Sequence, residues 1–249
     1  MKHSPEAPGS LAHSEDTLFR KYFVESHILS FANFGEWDGK KVLEIGCGIG
    51  TDTLMFADAG AEVTAVDLSE TSLDLAKRRS HLYKFDTKFV KANAEHLSDY
   101  LDPSDAGTFD LIYCFGMLHH TQNPGAVLDE IKKFAGPQTQ IRLMVYNRWS
   151  WKALGIFLKH GWGQIARYSE ANIGCPVTHT YSRSGIRELL EQHGFKVQNV
   201  TIEHIFPYRV RPYRQYHYEK TWLFSMLPYR AFRFLERHLG WHLLIDACL

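Results

Sequence analysis

The chain has 249 residues, 45% of them hydrophobic, and its 28 Lys plus Arg balance 28 Asp plus Glu. This length and apolar content suffice for one full α/β domain, and the zero net charge argues against a general attraction to nucleic acid or to an anionic membrane. We therefore expect no nucleic-acid partner. No apolar run approaches the ~20 residues that span a bilayer and no secretory signal is found, so we expect no stable membrane insertion. The four cysteines show no metal-ligand or redox-pair spacing, as expected for a cytoplasmic protein.

The first predicted helix covers residues 17–34, after a polar start. Its apolar residues recur at three- and four-residue spacing, which is typical of one face of an amphipathic helix. We expect residues 1–37 to form an N-terminal segment whose helix covers a ligand cleft. Residues 38–249 are then expected to form the main domain.

Strands and helices alternate through the first part of that domain. The pattern predicts strands at 41–45, 62–66, 87–91, 109–115 and 139–146, with helices at 50–59, 70–81 and 123–135. The dipeptide Gly136–Pro137 predicts a break after the last of these helices. Such alternation is typical of a parallel sheet with helices on both faces.

A glycine-rich loop follows the first strand, with glycines at 46, 48 and 50. Glycine adopts positive φ and lets the backbone approach a ligand closely. Asp67 ends the next strand, where a carboxylate can accept both hydroxyls of a ribose. The pattern is Glu-x-Gly-x-Gly-x-Gly rather than the dinucleotide Gly-x-Gly-x-x-Gly. Glu44 would repel a pyrophosphate but suits an ammonium and a sulfonium, so the loop favours S-adenosylmethionine over a nicotinamide cofactor.

These residues resemble the first motif and the ribose acid of the class I S-adenosylmethionine-dependent methyltransferases. The run 109–120 resembles that family's fourth strand, and 89–97 resembles its third strand, with Asn93 where the family usually has Asp. The resemblance implies a doubly wound, Rossmann-like seven-stranded sheet with helices on both faces and a final antiparallel hairpin. The cofactor-binding residues expected with it are Glu44, Gly46, Cys47, Gly48, Gly50, Asp67, Leu68, Asn93, Ala94 and Phe115.

The remaining elements are a helix at 182–193, a strand at 196–205 and a last strand at 241–248. By pattern they complete the sheet and its antiparallel hairpin. Two insertions lie outside this core, at 147–181 and 207–240. Both follow strands at the edge where open α/β sheets bind ligands, so they are expected to form the walls of a substrate pocket.

The second insertion concentrates arginines and tyrosines. Guanidinium groups bind carboxylate or phosphate, and aromatic faces line apolar pockets or stabilise a cation. This predicts a small-molecule acceptor that is anionic and partly apolar. A surface hairpin or a homodimer contact is the competing interpretation. The candidate substrate-binding residues are His119, Arg209, Arg211, Tyr213 and Arg214.

Methyl transfer from a sulfonium mainly requires that acceptor and methyl be positioned and that water be excluded. A general base is needed only where the acceptor must lose a proton. The candidates are Glu170, Tyr146 and His179, all in or beside the first insertion. No metal ligands are predicted.

Two alternative functions stay open at this stage. One is C-methylation of an isoprenoid diphosphate with Glu170 as base, the one case in which Mg²⁺ is expected. The other is a non-catalytic, S-adenosylmethionine-binding regulatory protein, because fold does not fix function.

Overall fold

The computed structural model describes residues 7, 10–161, 177–215 and 217–249. Its strands are β1 (Lys41–Ile45), β2 (Glu62–Asp67), β3 (Lys88–Lys91), β4 (Phe109–Phe115), β5 (Ala135–Tyr146), β6 (Lys196–Glu203) and β7 (His242–Cys248). They form one seven-stranded sheet in the order β3-β2-β1-β4-β5-β7-β6.

The sheet is parallel from β3 to β5, and β7 pairs antiparallel with both β5 and β6. The chain order reverses between β1 and β4, which are adjacent in the sheet. Open α/β sheets bind ligands at such a reversal, outside the carboxyl ends of the strands. The predicted doubly wound, Rossmann-like sheet with a final antiparallel hairpin is therefore confirmed.

The described helices are α1 (Leu11–Val24), α2 (His27–Ala32), α3 (Thr51–Asp58), α4 (Glu70–Tyr83), α5 (Pro124–Phe134), α6 (Trp151–His160), α7 (Arg183–Gln192), α8 (Val210–Arg214), α9 (Trp222–Met226) and α10 (Tyr229–Leu239). Within this described set, none has both the length and the apolar character needed to cross a membrane. Helix α7 begins at the predicted serine cap, since Ser182 Oγ accepts a hydrogen bond from Gly185 N at 3.0 Å.

Helices cover both faces of the sheet. Leu43 of β1 shares one apolar core with Ile131 of α5. Val42, the preceding residue, points to the opposite face and packs in a second core with Phe56 of α3 and Ile28 of α2. Burial on both faces explains why the central strands are continuous apolar runs.

Two predicted boundaries are wrong. The single helix expected at 17–34 is two helices, α1 and α2, which are separated at Glu25 and Ser26. The helix before Gly136–Pro137 ends at Phe134, as the predicted break requires, but the next strand, β5, begins at Ala135 rather than at 139. Thr139 Oγ1 accepts from Gly136 N at 2.8 Å and donates to Phe109 O at 2.6 Å, so a side chain ties this segment to the sheet.

Candidate active site

The glycine-rich loop joins β1 to α3 at the reversal point of the sheet. Gly46, Gly48 and Gly50 all have positive φ, at 81°, 54° and 74°. A Cβ at Gly46 would overlap the side chain of Met117, and one at Gly50 would lie 2.9 Å from Ala76 Cβ. At Gly48 a Cβ would meet no heavy atom within 4 Å. The loop is thus held closely on its protein side and is open at Gly48.

Asp67 lies beside the open part of this loop, at the end of β2. Its Oδ2 accepts a hydrogen bond from Gly48 N at 2.7 Å, and its Oδ1 accepts from Ser69 N at 2.8 Å. A carboxylate has about four acceptor positions. Each oxygen therefore keeps capacity to accept a hydroxyl while the two amides fix the orientation of the carboxylate.

Glu44 lies on the protein side of the loop, against α3. It is buried and accepts a hydrogen bond from the Thr53 hydroxyl. Burial, and next the negative charge of Asp52, raise the pKa of Glu44 to about 8. In this position Glu44 supports the loop, and direct contact with the ammonium of a ligand stays a prediction.

Three more of the residues predicted to bind the cofactor lie next to Asp67. The amide of Ala92 donates to Asp67 O at 3.1 Å, which holds the ends of β2 and β3 together. Asn93 Oδ1 accepts from Glu95 N at 3.1 Å and caps the short turn that contains Ala94. Leu68 is 67% exposed at the same edge. The structure thus places these predicted cofactor-binding residues side by side at the ends of β2 and β3.

Helix α1 is anchored to the start of α3 through Asp52, which is 2% exposed. Asp52 Oδ1 accepts from Lys21 Nζ and from Tyr22 Oη, both at 2.7 Å, and Oδ2 accepts from Tyr113 Oη at 3.2 Å. Sequence reasoning did not identify these residues. In the sequence they are single polar residues within predicted helices and a strand, and no motif marks them.

Arg79 provides a second anchor for α1. Its guanidinium is buried and donates to Ser14 Oγ at 3.0 Å, to Ile49 O at 2.6 Å and to Thr51 Oγ1 at 3.1 Å. Burial lowers the pKa of Arg79 to about 10. One side chain of α4 therefore connects α1 to the backbone of the glycine-rich loop.

A group of rings lies at the ends of β4 and β5. The ring of Tyr146 is 3.7 Å from that of His119 and 4.3 Å from that of Trp241, measured between centroids. His119 is fully buried, and burial holds its pKa well below the usual value, so the ring is neutral at neutral pH. Lys152 Nζ lies 4.4 Å from the centroid of Trp241.

His179 joins this group through the backbone. Its amide donates to His119 O at 2.8 Å, and its Nε2 donates to Thr121 O at 3.2 Å. It also lines an open groove of about 490 Å³ between α5 and α7. The structure therefore places His119, Tyr146 and His179 together. Glu170, the third predicted base, lies outside the described residues.

The arginines of the second insertion do not converge on one site in the described part of the chain. The Arg209 side chain is 63% exposed and pairs with Glu219 at 3.2 Å, and Arg211 is exposed. Tyr213 packs edge-on against Phe206 with centroids 4.7 Å apart. The side chain of Arg214 is outside the described residues.

The same insertion contacts α1. Arg20 Nη1 donates to Tyr218 Oη at 3.3 Å, and the rings of Phe23 and Tyr218 are 4.8 Å apart. Helix α1 therefore packs against the second insertion as well as against the glycine-rich loop.

A cluster of histidines that sequence reasoning missed lies between α2 and the final hairpin. His27 Nε2 is 2.9 Å from His242 Nδ1, and the ring of His204 is 4.6 Å from that of His242. Burial lowers the pKa of His27 to about 3 and that of His204 to about 4. Burial also raises the pKa of the neighbouring Glu25 to about 7. These residues come from three distant parts of the sequence, which is why no local pattern reveals them.

A family model described as a methyltransferase domain matches residues 18–200, which include the glycine-rich loop, Asp67 and the ends of β4 and β5. The chain belongs to this family. The predicted resemblance to class I S-adenosylmethionine-dependent methyltransferases is confirmed, and with it the cofactor class.

Relatives of this methyltransferase domain include ubiquinone biosynthesis O-methyltransferases. The Aromatoleum aromaticum protein is 37% identical over 112 residues, which cover 44% of this chain and 45% of the relative. The Methylococcus capsulatus protein is 30% identical over 144 residues, covering 58% of this chain and 56% of the relative. The chain thus matches about half the length of these relatives.

Among solved structures, the fold is similar to magnesium protoporphyrin IX methyltransferase from Synechocystis PCC 6803, determined with S-adenosylhomocysteine bound. The TM-score is 0.60 at 14% identity, and the alignment covers 98% of this chain and 89% of that one. At this identity the likeness is one of fold.

Proposed function

We propose that the protein transfers a methyl group from S-adenosylmethionine to a hydroxyl oxygen of a small, partly apolar acceptor. The observation that carries the proposal is the open glycine-rich loop beside the fixed carboxylate of Asp67, within a chain of the methyltransferase family. Transfer to oxygen is supported by the O-methyltransferase relatives.

The cofactor would lie along the glycine-rich loop. Asp67 would accept the ribose hydroxyls, Gly48 would leave space for the ligand, and Asn93 and Leu68 would flank the adenine. When bound, S-adenosylmethionine supplies a methyl group already activated by its sulfonium. Helix α1 would close this side of the cleft, since Lys21 and Arg79 hold it against the loop.

The acceptor would lie beside Phe115 and the rings of Tyr146 and Trp241, at the ends of β4 and β5. Flat apolar surfaces at this position orient an aromatic or chain-bearing acceptor and exclude water from the reacting atoms. In the reaction the acceptor hydroxyl loses its proton, the oxygen bonds to the methyl carbon, and the electron pair of the methyl–sulfur bond stays on sulfur.

A general base must take up the hydroxyl proton, and Tyr146, His179 and Glu170 remain the candidates from the sequence. Tyr146 packs against the ring of His119, and the backbone amide of His179 donates to His119 O, which supports both as candidates. C-methylation of an isoprenoid diphosphate with Glu170 as base is the second candidate reaction. A non-catalytic, cofactor-binding protein is the third possibility.

The test is a methyl-transfer assay with S-adenosylmethionine carrying a trideuterated methyl group. The acceptors would be an alkyl-substituted catechol, unsubstituted catechol and an isoprenoid diphosphate, and products would be identified by mass spectrometry. We expect a product in which a trideuterated methyl group has replaced the proton of one hydroxyl of the alkylcatechol. Labelled carbon in the diphosphate would favour the second candidate, and no labelled product together with intact cofactor binding would favour the third.

An anionic acceptor, which the arginines of the second insertion suggested, receives little support from their exposed positions. The double variant Arg209→Ala, Arg211→Ala tests this point directly. We expect KM for the acceptor to stay within about twofold of wild type, because rim charges exposed to water contribute little. A rise of tenfold or more, with cofactor affinity unchanged, would restore the anionic acceptor.

A further inference from the structure

Three side chains from separate elements converge beside the cleft. Glu25 ends α1, His204 follows β6, and His242 begins β7. Each side chain offers one atom that could bind a metal ion, and these three atoms all lie within 4.8 Å of one another. His204 and His242 are 7% and 3% exposed, and the rings of His204 and His242 are stacked.

The position and burial of these groups suit a metal site. Both imidazoles are almost fully buried, so the protein holds the two rings in place, and Glu25 lies partly buried beside them. The three groups supply two nitrogens and one carboxylate oxygen.

His27 orients one of these ligands. Its Nε2 lies 2.9 Å from His242 Nδ1, so Nε2 of His242 is the nitrogen left to bind a metal. A metal-binding histidine ordinarily donates its other ring N–H to a fixed partner, which sets the tautomer and the orientation of the ring. His27 stands in that position.

The backbone at His204 is also shaped for this arrangement. Its φ is +70°, a left-handed conformation that L residues with a side chain rarely adopt. The residue follows the end of β6, and Trp241 N donates to His204 O at 2.7 Å, which connects it to the start of β7. The strained position brings the imidazole of His204 against His242.

We propose that Glu25, His204 and His242 form a binding site for one divalent first-row transition-metal ion, with His27 as the positioning residue for His242. Two imidazoles and a carboxylate suit Zn²⁺ or Fe²⁺ rather than Mg²⁺, which prefers oxygen ligands. Three protein ligands leave at least one coordination position open, as in catalytic rather than structural sites.

The site also lies where it would act on the proposed reaction. Phe115, at the carboxyl end of β4, has its ring 5.8 Å from that of His242 and 6.2 Å from that of His27. Resting on the proposed function, we infer that the open position takes the acceptor hydroxyl, which would lower the pKa of that hydroxyl and favour loss of its proton.

The direct test is a titration of the chelator-treated protein with Co²⁺, followed by displacement with Zn²⁺, in the absence of cofactor and acceptor. We expect one Co²⁺ per chain, with visible absorption that disappears when Zn²⁺ is added. The absence of stoichiometric binding by the wild-type protein would overturn the proposal.

Matched variants locate the site. Glu25→Gln keeps the shape of the side chain, and His204→Asn keeps a residue that tolerates left-handed φ. Both are expected to weaken Co²⁺ binding at least tenfold, whereas His81→Asn, on the exposed side of α4, should leave it unchanged. Equal affinity in all three variants would contradict the assignment.

X-ray absorption at the zinc edge of the wild-type protein provides a test that does not depend on the folding of any variant. Two imidazoles with oxygen ligands are expected, and a sulfur ligand would overturn the proposal.

Calorimetry with S-adenosylmethionine alone distinguishes the failure of the metal site from the failure of the proposed function. Cofactor binding without metal binding would remove only the metal site, and metal binding without cofactor binding would remove only the proposed function.

Discussion

At the scale of single residues, Gly46 determines how closely the loop can approach the segment after β4. Its φ is +81°, and a Cβ there would overlap Met117. Gly46→Ala should therefore lower the free energy of unfolding by about 1–3 kcal/mol, from backbone strain and overlap together. Chemical denaturation measures this.

Gly155 provides the control for that substitution. It lies within α6 without positive φ, and a Cβ at this position would meet no heavy atom within 4 Å. Gly155→Ala should raise the free energy of unfolding by about 0.4–1 kcal/mol, because the unfolded chain loses freedom. Equal denaturation midpoints for Gly46→Ala and wild type would contradict the description of the loop.

Glu44 makes the stability of the domain depend on pH. Burial, with the charges of Asp52 and Asp67, raises the pKa of this carboxyl from 4.5 to about 8, while the Thr53 hydrogen bond and Lys21 oppose the shift. Between these two pH values the folded state holds a proton that the unfolded state has released. Stability contributed at this position therefore falls as pH rises.

Glu44→Gln, which mimics the neutral carboxyl, tests this dependence. The difference in Tm between the variant and wild type should grow in favour of the variant between pH 5 and pH 8. Thermal melts without cofactor measure it. A Tm difference that is constant over this range would show that Glu44 ionises normally.

At the scale of elements, α1 depends on the buried guanidinium of Arg79. The planar guanidinium donates hydrogen bonds to Ser14, Ile49 and Thr51 at once, and the single ammonium of lysine cannot reproduce this geometry. Arg79→Lys should speed hydrogen exchange of the α1 amides at least tenfold, because lost hydrogen bonds to a charged group cost about 1.5–3 kcal/mol each.

The neighbouring Arg78 gives the matched control, since it is exposed on the same helix. Arg78→Lys should leave exchange in α1 unchanged. If Arg79→Lys also leaves it unchanged, the contacts of α1 with Asp52 and Tyr218 are sufficient to hold the helix, and the role assigned to Arg79 fails.

The alternating elements could be predicted because each strand is a short apolar run bounded by turn residues, as at Val42–Ile45 followed by Gly46. The docking of α1 could not. Asp52 and Arg79 are charged residues in helical segments, so a sequence pattern predicts that they face solvent. In the structure they are buried because they bind Lys21 and Ser14, which are distant in the sequence.

At the scale of the whole molecule, the cofactor side of the site is local in sequence and the acceptor side is not. Gly46 and Gly48 follow β1 and Asp67 ends β2, the next strand in the chain, so their spacing alone predicts a ligand. The cluster of Glu25, His204 and His242 forms only when the final hairpin meets the end of α1. Sequence reasoning therefore predicted the cofactor and missed these histidines.

The central claim is that this fold binds S-adenosylmethionine through the loop and Asp67. Calorimetric titration of the wild-type protein, Asp67→Asn and Asp74→Asn tests it, with Asp74 as an exposed control on α4. One cofactor per chain is expected for wild type and for Asp74→Asn, with affinity at least roughly tenfold weaker for Asp67→Asn, because charge-assisted hydrogen bonds to the ribose are lost. Absence of binding to the wild-type protein, or equal affinity in all three, would contradict the account.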